Sequence, residues 1–304
     1  MDVYKLRVEH IGGKPIDKDA FEAETRCRKP WYRPGSTERD SQFAVCPACD
    51  DPIQLIGLYE LPANITKPFG KHVGKSVPGL AISDPEARQN CPYFNPKAPS
   101  KTARKKHFDG VPAKIIQLLI EQFDRVVYVL EKQTGIELSK KALRGMLERY
   151  KGERGFMYAG ATLRNVPWIF AYMSDATDLF MQRVDQNSTL KQAINEGVEG
   201  AQVGSEGRVG KRVFPSGQTP PFFDLKVSFI HHRIRKDSDD GGVFETMTLV
   251  VSVEEKRQLR DIHKQDIVFE YGQFERLIQL PEGKGRRRMD LVELAREVLG
   301  DLLG

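Results

Sequence analysis

The clearest alternation of apolar and polar positions lies near the middle of the chain. Over "PAKIIQLLIEQFDRVVYVLEKQTG", Ile115, Ile116, Leu119, Ile120, Phe123, Val126, Val127 and Leu130 recur at intervals of three and four. Lys114, Gln117, Glu121, Asp124, Arg125 and Glu131 fall largely on the other face, which predicts an amphipathic helix. Pro112 suits its first turn and Gly135 its stop. Ser139 suits the cap of a second helix, "KKALRGMLERYKG". The pattern predicts a third helix from about 167 to 184, "PWIFAYMSDATDLFMQRV", and a short fourth, "TLKQAINEG".

On either side the period changes. Before residue 110 the apolar runs are short and strand-like: "YKLRVEHI", "QFAVC" and "IQLIGLYEL", separated by loops such as "RKPWYRPGSTERDS" and "KPFGKHVGKSVPGLA". After residue 221 three longer runs read as strands: "FFDLKVSFIHHRI", "VFETMTLVVSV" and "DIVFEYGQFERLIQL". "KDSDDGG" between the first two is a hairpin turn signal. "MDLVELAREVLGDLL" closes the chain as an amphipathic helix with Asp290 as its expected cap. The glycine-rich stretch 197–221 reads as a linker or loop. The expected fold class is therefore α+β. The expected organisation is a loop and strand module over 1–110, a helical region over 111–196, the linker, and an antiparallel sheet with a closing helix over 222–304.

The N-terminal third has few large apolar side chains for its length, and a region of that kind needs a staple. All four cysteines lie there, at 27, 46, 49 and 91. No apolar run reaches the ~20 residues of a membrane span, and the first residues lack the apolar core of a signal peptide. The expected location is the cytoplasm, where stable disulfides are disfavoured. A redox role for the Cys46–Cys49 pair is also disfavoured, because Asp50 and Asp51 follow it and carboxylates raise a nearby thiol pKa. A metal site fits better. "VCPAC" resembles a zinc knuckle, and "NCPYF" supplies Cys91. The fourth ligand is either His72 or Cys27, since structural Zn²⁺ takes Cys₄ or Cys₃His.

Charge changes the functional picture. The chain carries 47 basic and 42 acidic residues, net +5. Its cations cluster in four places: "KTARKKH" with Arg104, Lys105 and Lys106; "GRVGKR" with Lys211 and Arg212; "HHRIRK" with Arg233, Arg235 and Lys236; and "KGRRR" with Arg286, Arg287 and Arg288. Trp31, Tyr32, Tyr93 and Phe94 lie near basic residues and could stack on unpaired bases. The leading expectation is a non-enzymatic, zinc-containing protein that contacts DNA or RNA phosphates through these clusters. A protein-interaction module, or an inhibitor of a nucleic-acid machine, is the alternative.

A third reading concerns catalysis. Asp224 at a strand start, with Glu254 and Lys256 at the end of the next strand, resembles the PD-(D/E)xK nucleases. The resemblance covers about 35 residues. It implies carboxylates that hold Mg²⁺ and a lysine that assists water attack. No proline directly precedes Asp224, and the intervening turn is long. "GKHVGKS" lacks P-loop spacing, and the adjacent His231 and His232 point to opposite faces of a strand, so they do not share an ion.

Overall fold

The computed structural model describes residues 1–35, 40–174, 176–215, 218–236, 242–255, 257–281 and 284–304. The chain starts with two short paired strands, β1 (Val3–Tyr4) and β2 (Lys14–Pro15), and then a helix α1 (Lys18–Thr25). Asp17 caps α1 by accepting from the Ala20 amide, a start signal that the short apolar content of "DKDAFEAET" conceals. Strands β3 (Tyr32–Pro34), β4 (Asp40–Val45), β5 (Pro52–Ile56) and β6 (Phe69–His72) follow, forming an antiparallel four-stranded sheet in that order. A short helix α2 (Pro85–Gln89), capped by Asp84, leads to Cys91.

The long helix α3 (Val111–Thr134) is the axis of the molecule. Gly135 ends it with φ 65°, a left-handed backbone that glycine adopts without steric cost. The pair β7 (Ile136–Glu137) and β9 (Arg183–Val184) flanks α4 (Lys140–Gly152), whose cap is Ser139. Helix α5 (Val166–Met173) is fully buried. The predicted helix over 167–184 stops at Met173, because the chain turns outward to form β8 (Thr177–Asp178), which pairs with the C-terminal sheet. After α6 (Thr189–Gly197) the glycine-rich segment is not a plain loop: β10 (Ala201–Val203) and β11 (Val209–Lys211) form a small hairpin.

The C-terminal sheet has the order β14-β13-β12-β8. Strands β12 (Asp224–Lys236) and β13 (Val243–Glu255) pair from Asp224↔Glu254 to Lys236↔Val243. The turn expected in "KDSDDGG" falls mainly on 237–241, outside the described residues. Strand β14 (Gln258–Val268) begins and ends earlier than its apolar run predicts. The second half of that run, where aromatic and aliphatic positions follow a helical spacing, is α7 (Tyr271–Ile278). Helix α8 (Met289–Leu299) closes the chain. Its boundary is Arg288, and Asp290 lies in the first turn rather than at the cap. The architecture is α+β, as the sequence predicts.

One apolar cluster runs through the molecule, from Tyr4, Phe21 and Ile53 through Ile115, Phe123 and Trp168 to Leu249, Phe274 and Leu299. Several buried polar groups are paired inside it, while the Tyr4 hydroxyl has no partner among the described residues. Glu245 accepts from the His232 ring at 2.8 Å, from Asn165 at 3.0 Å and from the Tyr271 hydroxyl at 2.6 Å. Arg164 makes a buried pair with Glu275 at 2.6 Å and lies over the Tyr271 ring. Among the described residues no helix is long and apolar enough to cross a membrane.

Candidate metal centre

Three local structures bring four donors together. Cys46 directly follows β4, and the turn to β5 is tight: the Cys46 amide donates to the Asp51 carbonyl at 2.9 Å, and the Asp50 amide donates to the Cys46 carbonyl at 3.0 Å. Asp50 completes this turn with φ 62°. Cys49 sits inside it, so both sulfurs of the Cys-x-x-Cys pair face one point. His72 ends β6, and the β5–β6 register sets it beside Ile53, one strand from the turn. Cys91 comes in from the end of α2, where its amide donates to the Arg88 carbonyl at 3.0 Å.

The ligand atoms of Cys46, Cys49, His72 and Cys91 all lie within 4.8 Å of one another. The Cys46 and Cys91 sulfurs are 3.7 Å apart, and the Cys49 sulfur is 3.4 Å from His72 Nε2. All three cysteines are buried. Burial drives the Cys49 and Cys91 thiols well above the ordinary thiol range. Burial acts on Cys46 in the same sense, but hydrogen bonds from Cys49, Cys91 and His72 outweigh it and hold Cys46 well below that range. Sulfurs this close and this desolvated are poorly accommodated as free thiolates, and a cation at their centre removes the conflict. This Cys₃His cluster can bind a metal ion. Cys27 is not part of it: it lies exposed after α1, beside Tyr32.

Charged groups surround the cluster. Asp50 pairs with Lys5 at 2.5 Å and with Lys114. Asp51 is fully buried, accepts from the Asp84 amide at 2.7 Å and lies 3.6 Å from Arg88. Lys105 is also buried, and it donates to the Ala161 carbonyl. Desolvation lowers its ammonium to about 8, against the opposing pull of Cys49 and, after it, Glu86, Asp84 and Cys91.

The other predicted basic residues divide into two groups. Arg104 is spent on the carbonyls of Glu153 and Lys101. Arg212 donates to the Val198 and Asn195 carbonyls at the end of α6. Arg287 grips Asp124 at 2.7 and 2.9 Å, and Arg288 grips Glu131 at 2.9 and 3.1 Å. Together with buried Lys105, these five serve the interior or its rim, contrary to the expectation of phosphate-facing side chains. Lys106, Lys211, Arg233, Arg235, Lys236 and Arg286 are exposed, and their side chains have no ion-pair partner among the described residues. Of the aromatics expected to stack on bases, Tyr32 is buried, the Trp31 indole N–H donates to the Leu6 carbonyl, and the Tyr93 hydroxyl meets Arg164. Phe94 is half exposed, packed edge-on against His72.

Asp224 and Glu254 stand directly opposite each other on β12 and β13, so their side chains share the solvent face of the sheet. Asp224 is held by Lys226 at 2.5 Å. Lys256 lies outside the described residues. His231 is exposed and His232 buried, on opposite faces as expected for strand neighbours, and the register shift between Ile230 and Arg233 sets His232 as the inward one. The Glu245–His232–Tyr271 network has no motif-like spacing, and only the alternation of β12 and β13 hints that Glu245 points inward.

No protein-family model matches this chain, and no curated protein or solved structure matches it.

Proposed function

We propose that the chain is a structural-zinc protein that binds nucleic acid through the outer end of the β12–β13 hairpin. The observation that carries the metal is the pair of edge lengths. A tetrahedral ion with Zn–S of about 2.3 Å and Zn–N of about 2.0 Å needs S–S edges of ~3.8 Å and S–N edges of ~3.5 Å. The 3.7 Å and 3.4 Å separations fall close to both. Three thiolates and one imidazole are a donor set that selects Zn²⁺ over oxygen-seeking ions. Four protein ligands leave no open position, so the ion is a staple and not a catalyst.

Nucleic acid is favoured by the hairpin end. Arg233, Arg235 and Lys236 are exposed there, and Phe244, 48% exposed, faces Arg235 across the ladder. Cations beside an accessible ring can hold phosphates and stack one base. Lys106, Lys211 and Arg286 would add to the field.

Two measurements test the proposal. Metal analysis should find one zinc per chain, unchanged in Cys27→Ser and lost or strongly weakened in His72→Ala. Fluorescence anisotropy with labelled single-stranded and duplex DNA and RNA should show binding that weakens steeply between ~50 and ~200 mM salt. Arg233→Ala/Arg235→Ala should reduce both the affinity and the salt slope. Absence of binding at low salt would overturn the nucleic-acid half and point to a protein partner. Mg²⁺-dependent cleavage of the oligonucleotides that Glu254→Ala abolishes would instead favour the nuclease reading of Asp224 and Glu254.

A further inference from the structure

A Zn²⁺ ion held by three thiolates and a neutral imidazole carries one net negative charge. That charge is buried, and a buried charge without a counter-charge is costly. Of the cations around the cluster, Lys5 and Lys114 share Asp50, Arg88 faces Asp51, and the Met1 ammonium donates to the Gly70 carbonyl at 3.1 Å. Lys105 is a further one, and it lines a cavity with Cys49. It is 7% exposed, and among the described residues its ammonium has one hydrogen-bond partner, the Ala161 carbonyl. An ammonium has three donors, so two remain for other acceptors.

The surroundings say where they point. Lys105 and Cys49 line the same small cavity, of about 10 Å³, together with Ala87, Asn90 and Ala161. That is at most the room of one water. The segment that carries Ala161 is itself docked on the cysteine turn, since the Leu163 amide donates to the Ala48 carbonyl at 3.3 Å. The Lys105 backbone is fixed as well, its amide donating to the Met157 carbonyl at 2.7 Å. The groups that act on its ammonium are Cys49, whose sulfur would be negative once metal is bound, then Glu86, Asp84 and Cys91. Glu86 is engaged by the Lys106 amide and Asp84 by the first turn of α2.

From this arrangement we infer that Lys105 is the counter-cation of the metal–thiolate cluster, a positioning residue whose charge offsets the net charge of the loaded site. The inference rests on the zinc reading above. It explains why a lysine from a run of surface cations is drawn into the interior. It also makes the cluster and the 157–163 segment one electrostatic unit.

The test compares the full chain with Lys105→Met, Lys105→Arg and Lys114→Met. Lys105→Met keeps the length of the side chain and removes its charge. Zinc affinity is read by competition with a chromogenic chelator, and the thiolate count by the charge-transfer band of the Co²⁺-loaded protein. Lys105→Met should keep the band intensity of the parent but bind metal 10–100-fold more weakly. Its acid-induced metal release should begin at higher pH, because protons compete better for sulfurs that have lost their cation. Lys105→Arg should recover most of the affinity, and Lys114→Met should stay close to the parent. Parent-like affinity and release pH in Lys105→Met would overturn the inference. So would a Lys105→Met chain that stays unfolded at saturating zinc, since packing would then be the role. A parent chain that binds no zinc removes the premise, and that result is seen before any variant is made.

Discussion

The first 110 residues and the remainder of the chain are held together by different means. The N-terminal part has short strands, helices of eight and five residues and, at its centre, three sulfurs, an imidazole and the charged groups Lys5, Asp50, Asp51 and Lys105. The rest is organised on a 24-residue helix and three strands of 11 to 13 residues, packed through Phe123, Trp168, Phe170 and Leu249. Burial of large apolar side chains scales with area and needs no ligand. A charged, ligand-built centre needs its ion and its protonation state. On the metal reading proposed above, one region of the chain would respond to metal and pH and the other would not, even though a single apolar cluster joins them.

The contrast is broken most severely at the sulfurs. Cys46→Ser, or a strong chelator, should release the ion and unfold the N-terminal sheet. Structural zinc supplies on the order of 10 kcal/mol of binding free energy. Limited proteolysis should then cut within 1–110 while α3 and the C-terminal sheet persist. Unchanged proteolysis after complete metal removal would mean that the staple is dispensable.

A smaller loss, of the opposite kind, is expected at Glu245. Glu245→Ala leaves the donors of His232, Asn165 and Tyr271 facing an apolar space. Each buried donor left without its acceptor costs about 1–3 kcal/mol. Urea unfolding should report it equally at low and high zinc. A zinc-dependent deficit would show that the two regions are coupled more closely than their chemistry suggests.

The smallest effect belongs to the helical part. Ser139 accepts from the Ala142 amide at 3.3 Å and caps α4. Ser139→Ala should cost about 1 kcal/mol with metal binding untouched. A loss of zinc in this variant would argue against any separation of the two regions.

Legibility in the sequence follows the range of the forces. Helix α3 was readable because eight apolar residues keep a helical period, and Pro112 and Gly135 mark its ends through local backbone geometry. The Ser139 cap is equally local. Helix α5 ends before its apolar pattern does, because pairing of Thr177 with Val227 competes for the segment. The run that begins at Asp266 mixes the end of a strand with a helix, and the helical spacing of Tyr271, Phe274, Leu277 and Ile278 is too short a signal to set the boundary.

In the site, Cys46, Cys49 and Cys91 declared themselves by residue type, by proline-flanked turns and by their confinement to a region poor in core residues. These features are written in the chain, as is the α+β class. The choice of His72 over Cys27 was made by the β5–β6 register, which depends on strands meeting in space. The sorting of the cations was likewise a tertiary outcome. Lys105 and Lys106 are identical neighbours in sequence, yet one is enclosed beside a sulfur and the other faces solvent. Charge and side-chain type are local properties. Desolvation and the nearest counter-charge exist only once distant segments have packed, and for Lys105 they decide what the residue does.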